Sequence, residues 1–351
     1  MSLIGAIAGK EIQIGRGGVK NMYMPKFLLL VFVLLGIFSQ VLSCSSQTQF
    51  TGGKEEDVII FHSPKWGNVL DTESYEQIAR ELGVKTKRVD HVFINEKKSF
   101  LGKDGRRKIG VLILTGGRPD HWFEQKTGEG INCQGVDNIL SFLESGGSVI
   151  GLCFCSASLF STSTEWLSPF SDQAQRGEWH KKNYRRGQFF RLCGKYTFRG
   201  TIRGPQESNQ PYIKTRFLPI KMNPENEIVR EGNLPSVIYQ IVSGGGSIIP
   251  DEGQPLDVVG WYPNGTAAIG IVPYGQGRII MCSPHPNITG KRVETWRTAL
   301  LNGEYIRLGW TKEMIAQERK LIEKDKDPDG PEPDWALSKA MFSYAYRKAS
   351  Q

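Results

Sequence analysis

The reactive chemistry in this sequence centres on a thiol. Cys153 stands in Gly151-Leu152-Cys153-Phe154-Cys155-Ser156, directly between an apolar run at 148–152 and a helix-forming stretch. A nucleophile in that position sits on a sharp turn at the carboxyl edge of a sheet, where the N-terminus of the next helix favours the thiolate. Gly151, two places earlier, permits the close backbone approach such a turn needs. The thiolate also requires a base within hydrogen-bond reach. Of the five histidines, only His285 lies just past a buried-type strand in a rigid, proline-flanked loop, Ser283-Pro284-His285-Pro286-Asn287. Asn287 is expected to orient the imidazole through its side-chain oxygen, as amides do in Cys-His-Asn sets. The expected oxyanion donors are the main-chain N–H of Phe154 and one from Gly116 or Gly117. Such a set would hydrolyse a C–N bond in an amide or a peptide-like fragment. His121, just past Gly117, and His62, at a strand end, are candidates to line the cleft, while His91 and His180 read as surface or packing residues.

Two other readings use the same residues. A cysteine at a strand end is often only a small buried hydrophobe, which would make the chain a non-catalytic ligand-binding protein. Alternatively, Cys153 and Cys155 form a redox pair. Hydrolysis requires one reactive thiol, binding an inert one, and redox a thiol state that follows the potential.

The elements that position these residues follow from periodicity. Residues 58–63 are a short apolar run, 73–82 carry helical spacing through Tyr75, Ile78, Ala79 and Leu82, and 87–94 read as a second strand. Residues 108–114 and 148–152 are continuous apolar runs, as strands buried on both faces would be, with a helix at 136–145 between them. Alternating βα units imply an α/β fold with a parallel sheet and flanking helices. The second half changes rhythm. Residues 165–210 are polar and aromatic and read as an inserted loop region. From Leu256 the pattern is a β-hairpin meander, with Pro263-Asn264-Gly265 and Gly275-Gln276-Gly277 as its turns. A closing helix is expected over 292–308.

Composition narrows the class. At 351 residues and 39.3 kDa, the chain can bury a full core. Its net charge of +8 is mild, and part of it lies in residues 1–43, where Lys10, Arg16, Lys20 and Lys26 face only Glu11; nucleic acid is not an expected partner. Six cysteines include no CxxC pair or His/Cys cluster of zinc spacing, so neither metal nor other cofactor is expected. Residues 27–43 contain no charge, follow Lys26 and precede Cys44-Ser45-Ser46. That is the layout of an export signal. Val41-Leu42-Ser43 before Cys44 resembles a bacterial lipobox, so Cys44 is the expected lipidation site and the cell envelope the expected location; a plain cleaved signal and an uncleaved anchor are the alternatives. Met22 or Met24 would make a more ordinary start. The expected organisation is a signal segment at 1–43, the lipidated cysteine and linker at 44–56, one domain at 57–310, and a polar C-terminal helix or tail at 311–351.

Four separated motifs carry a family resemblance: Leu112 to Gly117 (LILTGG), the run from Thr127 to Phe160 through Cys153, Tyr239 with Ser243 to Gly246, and Tyr274 to Asn287 (YGQGRIIMCSPHPN). They resemble the class I glutamine amidotransferase-like superfamily, and within it the domain found at the N-terminus of biotin–protein ligases. The resemblance implies a flavodoxin-like fold, an elbow cysteine at Cys153, a catalytic-type histidine at His285, and substrate contacts from Tyr239, Gly244 and Gly245. The family pattern has a small residue and glycine where Phe154 and Cys155 stand, and glutamate where Asn287 stands. The expectation is an exported, lipid-anchored protein with Cys-His-dependent amide hydrolysis of a small-molecule or peptide-like substrate, the alternative being an inactive binding lipoprotein of the same fold. Biotin ligation is not expected, because too few residues follow the domain in this sequence to form a ligase module. Replacing the lipidation site, Cys44→Ala, is expected to release the protein from membrane fractions. A variant that stays unprocessed and membrane-bound would point instead to an uncleaved anchor.

Overall fold

Runs that are apolar at every position have nowhere to go but the interior, and here they become the middle of a sheet. The computed structural model describes residues 57–62, 68–96, 99–116, 130–153, 163–165, 196–201, 215–242, 246–250, 252–304, 306 and 311–351, which fall within one compact unit, Gly53–Gln351. Its first half runs β1 (Val58–Phe61), α1 (Val69–Glu81), β2 (Thr86–Val89), α2 (His91–Asn95), β3 (Val111–Leu114), α3 (Cys133–Glu144) and β4 (Ser148–Leu152). There follow β5 (Ser163–Glu165), β6 (Tyr196–Thr201), β7 (Arg216–Met222), α4 (Glu227–Glu231), β8 (Val237–Val242), β9 (Gly246–Pro250), β10 (Asp257–Trp261), β11 (Ala267–Tyr274) and β12 (Gly277–Cys282). The chain closes with α5 (Lys291–Ala299), a π-helical turn (Leu300–Glu304), α6 (Lys312–Lys324) and α7 (Pro331–Ser350).

Five strands pair in parallel in the order β2-β1-β3-β4-β12. This is the flavodoxin-like order, in which the chain reverses direction across the sheet between β1 and β3. Beyond β12 the sheet continues antiparallel through β11, β10, β7 and β8. The strands β10, β11 and β12 are successive antiparallel neighbours, and Gly265, with φ +81, sits in the turn before β11. The strand β6, inside the region expected to be loop, pairs with β5 and β9, and β9 pairs with β11.

Alternation along each strand sends successive side chains to opposite faces. Val58, Ile60, Val111, Ile113, Ile150, Leu152 and Ile280 face Tyr75, Ile78 and Ala79 of α1 and Leu337, Met341, Phe342 and Ala345 of α7. Ile59, Phe61, Leu112, Leu114, Val149, Ile279 and Met281 meet Ile139, Phe142 and Leu143 of α3 on the other side. The sequence reading ended the domain at 310. The packed unit instead runs on to Ser350, because α7 repeats apolar positions at helical spacing and fills the α1 face. The reading of 87–94 as one strand also changes: Asp90 accepts the N–H groups of Val92 and Phe93 and starts a helix. Phe342→Ala should cost about 3–5 kcal/mol of stability, the usual loss for a fully buried phenylalanine. A shift in denaturant midpoint worth less than about 1 kcal/mol would contradict the core role of α7.

Candidate active site

The carboxyl ends of β1, β3, β4 and β12 meet beside the point where the strand order reverses, the usual place for a ligand crevice in an open α/β sheet. Cys153 follows β4 immediately, with φ +63. Among the described residues, only Cys153 and Asn233 are non-glycine residues with positive φ. Left-handed backbone at a side-chain-bearing residue costs roughly 1–3 kcal/mol and persists only where surrounding packing enforces it. Here the buried β4 strand fixes the backbone on one side, and the thiol itself is buried.

His285 arrives from the segment after β12. Its main-chain N–H donates to the Ile241 carbonyl at 3.0 Å, which ties the loop to β8. Its ring centroid lies 4.5 Å from that of Trp296 on α5. Nδ1 stands 3.3 Å from Oδ1 of Asp71, in the first turn of α1. Both side chains are almost wholly buried. Burial opposes a charge on the imidazole, but the neighbouring Cys153 and Asp71 outweigh it and push His285 up to about 10. The charge of Cys153 bears on the ring, and Nε2, the nitrogen not facing Asp71, is buried without a hydrogen-bond partner.

Asp71 is held by more than the imidazole. Its Oδ2 accepts the Gly116 N–H at 2.6 Å, and its Oδ1 accepts the Asn287 amide at 2.7 Å. Asn68 caps α1 by accepting the Leu70 N–H, and its own N–H donates to the Gly116 carbonyl at 2.9 Å. The start of α1 and the end of β3 are therefore clasped in both directions. Gly116 has to be glycine here. A Cβ at that position would lie 2.7 Å from Asp71 Oδ2, 2.7 Å from His285 Cε1 and 3.1 Å from Cys153 Cβ.

These contacts correct two expectations. Asn287 does not orient the imidazole through its oxygen; it donates to Asp71, and its Oδ1 is buried without a hydrogen-bond partner. Gly116 is not an oxyanion donor, because its N–H is engaged by Asp71. Cys153, His285, Asn287 and Gly116 are otherwise gathered at one place. Tyr239 lies in β8, two residues before Ile241, with its N–H donated to Asp329 at 3.0 Å. Cys44, Gly117, His121, Phe154, Gly244 and Gly245 lie outside the described residues. His62 follows β1, half-buried, with Nδ1 3.2 Å from Thr72 Oγ1; burial lowers its pKa.

Sequence reasoning missed Asp71. It began the helix at 73, leaving Asp71 outside it, although Asn68 followed by Val69-Leu70 is a cap signal that moves the start back to include it.

No protein-family model and no curated protein matches the chain. Solved structures do follow a similar course. A glutamine amidotransferase from Thermotoga maritima is 12% identical over 83% of this chain and 98% of its own, with a TM-score of 0.47. A glutamine amido transferase from Methylobacillus flagellatus is 9% identical over 70% of this chain and 76% of its own, with a TM-score of 0.41. A β-galactosidase from Bacillus circulans sp. alkalophilus is 12% identical over 68% of this chain, which spans 30% of that one, with a TM-score of 0.38.

Asp71→Asn removes a charge and a hydrogen bond that raise the His285 pKa while leaving the burial that lowers it. The ring in that variant should lose its proton well below the native value of about 10. Imidazole nitrogen NMR across a pH series checks this, and unchanged titration would separate Asp71 from the ring.

Proposed function

We propose that the chain is a thiol-dependent amide hydrolase of glutamine amidotransferase-like fold, with Cys153 as nucleophile, His285 as the proton carrier and Asp71 as the group that orients it. The observation that carries this reading is the strained Cys153 turn, φ +63, at a strand end and coupled to a buried His285–Asp71 pair. A structural cysteine has no need of either feature. The raised His285 pKa favours a resting thiolate–imidazolium pair.

In the proposed reaction the Cys153 thiolate attacks the amide carbonyl carbon, forming a C–S bond and an oxyanion. The tetrahedral adduct collapses as His285 gives its proton to the leaving nitrogen, the C–N bond breaks, and a thioester remains. Water, deprotonated by His285, then attacks the thioester, releasing a carboxylic acid and restoring the thiolate and imidazolium. Asp71 keeps its negative charge throughout and balances the imidazolium. With Gly116 engaged, the oxyanion donors we assign are the main-chain N–H groups of Phe154 and Gly117.

The finer assignments belong to the same proposal. Within the superfamily, the motifs around Cys153, Tyr239 and His285 favour likeness to the domain found at the N-terminus of biotin–protein ligases. Export and lipid attachment at Cys44 rest on the uncharged run 27–43 and the residues around its end. Among the described residues, no helix is long and apolar enough to cross a membrane.

Iodoacetamide should modify Cys153, which is 8% exposed, at neutral pH far faster than the wholly enclosed Cys282, whose thiol pKa burial pushes well up. His285→Ala should slow that modification and lower turnover in amide hydrolysis about 10²–10⁴-fold, the range for removing a general acid–base. Slow, equal labelling of both cysteines, unaffected by His285→Ala, would leave the binding reading in place.

A further inference from the structure

The helix α5 stands beside the candidate site and presents two side chains one turn apart on the same face, Arg292 and Trp296. Arg292 ties the helix to α1: Nη1 donates to Ser74 Oγ at 3.1 Å and Nη2 to Gln77 Oε1 at 2.9 Å. Ser74, wholly buried, extends the tie by donating to the Asn287 carbonyl at 2.7 Å. Trp296 packs with Phe217 of β7, Ile241 of β8, Ile288 after β12, and Val293 of α5 itself. Held from these sides, its indole meets the His285 ring with centroids 4.5 Å apart and planes tilted by 56°.

An aromatic ring beside a histidine is ordinary packing in many cores. Here the histidine is 1% exposed, Nδ1 is the nitrogen that faces Asp71, and Nε2 is buried without a hydrogen-bond partner. A contact at one edge fixes that edge and leaves the ring free to rock about it. The indole removes that freedom. It also lies within the range of about 6 Å over which a cation is attracted to an aromatic ring, an attraction that grows where water is excluded. The cation is the imidazolium, whose charge burial otherwise opposes. The charged groups that bear on the ring are Asp71 from α1 and Cys153 after β4. On β12, burial keeps the Cys282 thiol in its neutral form, and on β8 Tyr239 shares the face of Ile241. On α5, Arg292 is engaged by α1, Arg297 by Asp325, and Lys291 and Glu294 are exposed.

We propose that Trp296 is a positioning residue of the site, whose indole holds the His285 ring with Nδ1 at Asp71 and Nε2 free to exchange a proton, and favours the charged ring over the neutral one. The catalytic meaning of this role rests on the hydrolase reading; the contact between the two rings does not.

Trp296→Leu keeps an apolar side chain and removes the π-face, whereas Trp296→Phe keeps an aromatic ring. In the full chain, with melting curves to show that each variant is folded, imidazole nitrogen NMR should find His285 of Trp296→Leu titrating about 0.4–1.5 pH units below native. That is the cation–π attraction of about 0.5–2 kcal/mol converted at about 1.36 kcal/mol per unit. Trp296→Phe should lie between the two, and Trp335→Phe, which replaces an indole on α7, should match native. Iodoacetamide labelling of Cys153 at neutral pH should follow the same order, slowest in Trp296→Leu. The native chain supplies a check that needs no substitution at 296. A charged imidazole in contact quenches indole emission, so tryptophan fluorescence should rise as His285 loses its proton, and this step should vanish in His285→Gln. A folded Trp296→Leu whose His285 titrates as in the native chain, or native fluorescence with no step at the His285 titration, would overturn the role of Trp296. Slow labelling of native Cys153 with the order of titrations intact would instead sink the hydrolase reading and leave the effect of Trp296 on His285 as assigned.

Discussion

A buried carboxylate is stable only where donors surround it, and the need to satisfy Asp71 determines how the site is assembled. Its two oxygens draw on the end of β3 through Gly116, and on the segment after β12 through His285 and Asn287. Three parts of the chain that are remote in sequence must therefore arrive together. The same carboxylate raises the imidazole pKa against the effect of burial. Without it, the ring would lose both its orientation and a compensating charge, and removing one member of such a buried pair leaves an uncompensated group at a cost of about 3–5 kcal/mol.

This arrangement gives Asn287 a different meaning. Read against a pattern with glutamate at that position, an amide looks like a weakened site. In the folded chain the acid comes from the first turn of α1 instead, and an amide is the better neighbour because it donates to that acid. A glutamate at 287 would set a second carboxylate against Asp71 in a fully buried place. In the proposed hydrolase, the charge that balances the imidazolium comes from Asp71. The segment carrying His285 is also bonded to β8 at Ile241, next to Gln240. The C-terminal helix, docked on β8 through Asp334, thus supports the strand that supports the histidine.

Much of this could be read from the sequence because it is written locally. The parallel strands β1, β3 and β4 are uninterrupted apolar runs, and a thiol directly after one of them, like a histidine between prolines after another, is visible within a few residues. Asp71 is not local. In sequence it is an ordinary acid near a helix start, where acids are common for dipole reasons, and its partners lie 45 to 216 positions away. The α7 helix was also hard to place. Leu337, Met341, Phe342 and Ala345 have core spacing, but Asp334, Lys339, Arg347 and Lys348 make the segment look like a solvated tail until a sheet is there to receive it. A glycine pair at a strand end is a familiar donor site, so one of Gly116 and Gly117 is expected to face an oxyanion; the carboxylate that takes the Gly116 N–H is invisible at that range.

The central claim is that Cys153 and His285 rest as an ion pair maintained by Asp71, and thiolate absorbance in the ultraviolet tests it most directly. Native protein at neutral pH should show a thiolate signal that is absent from Cys153→Ser and much reduced in Asp71→Asn. If the native signal appears only in the ordinary thiol range, near about 8.5, and Asp71→Asn leaves it unchanged, the account of the site is wrong.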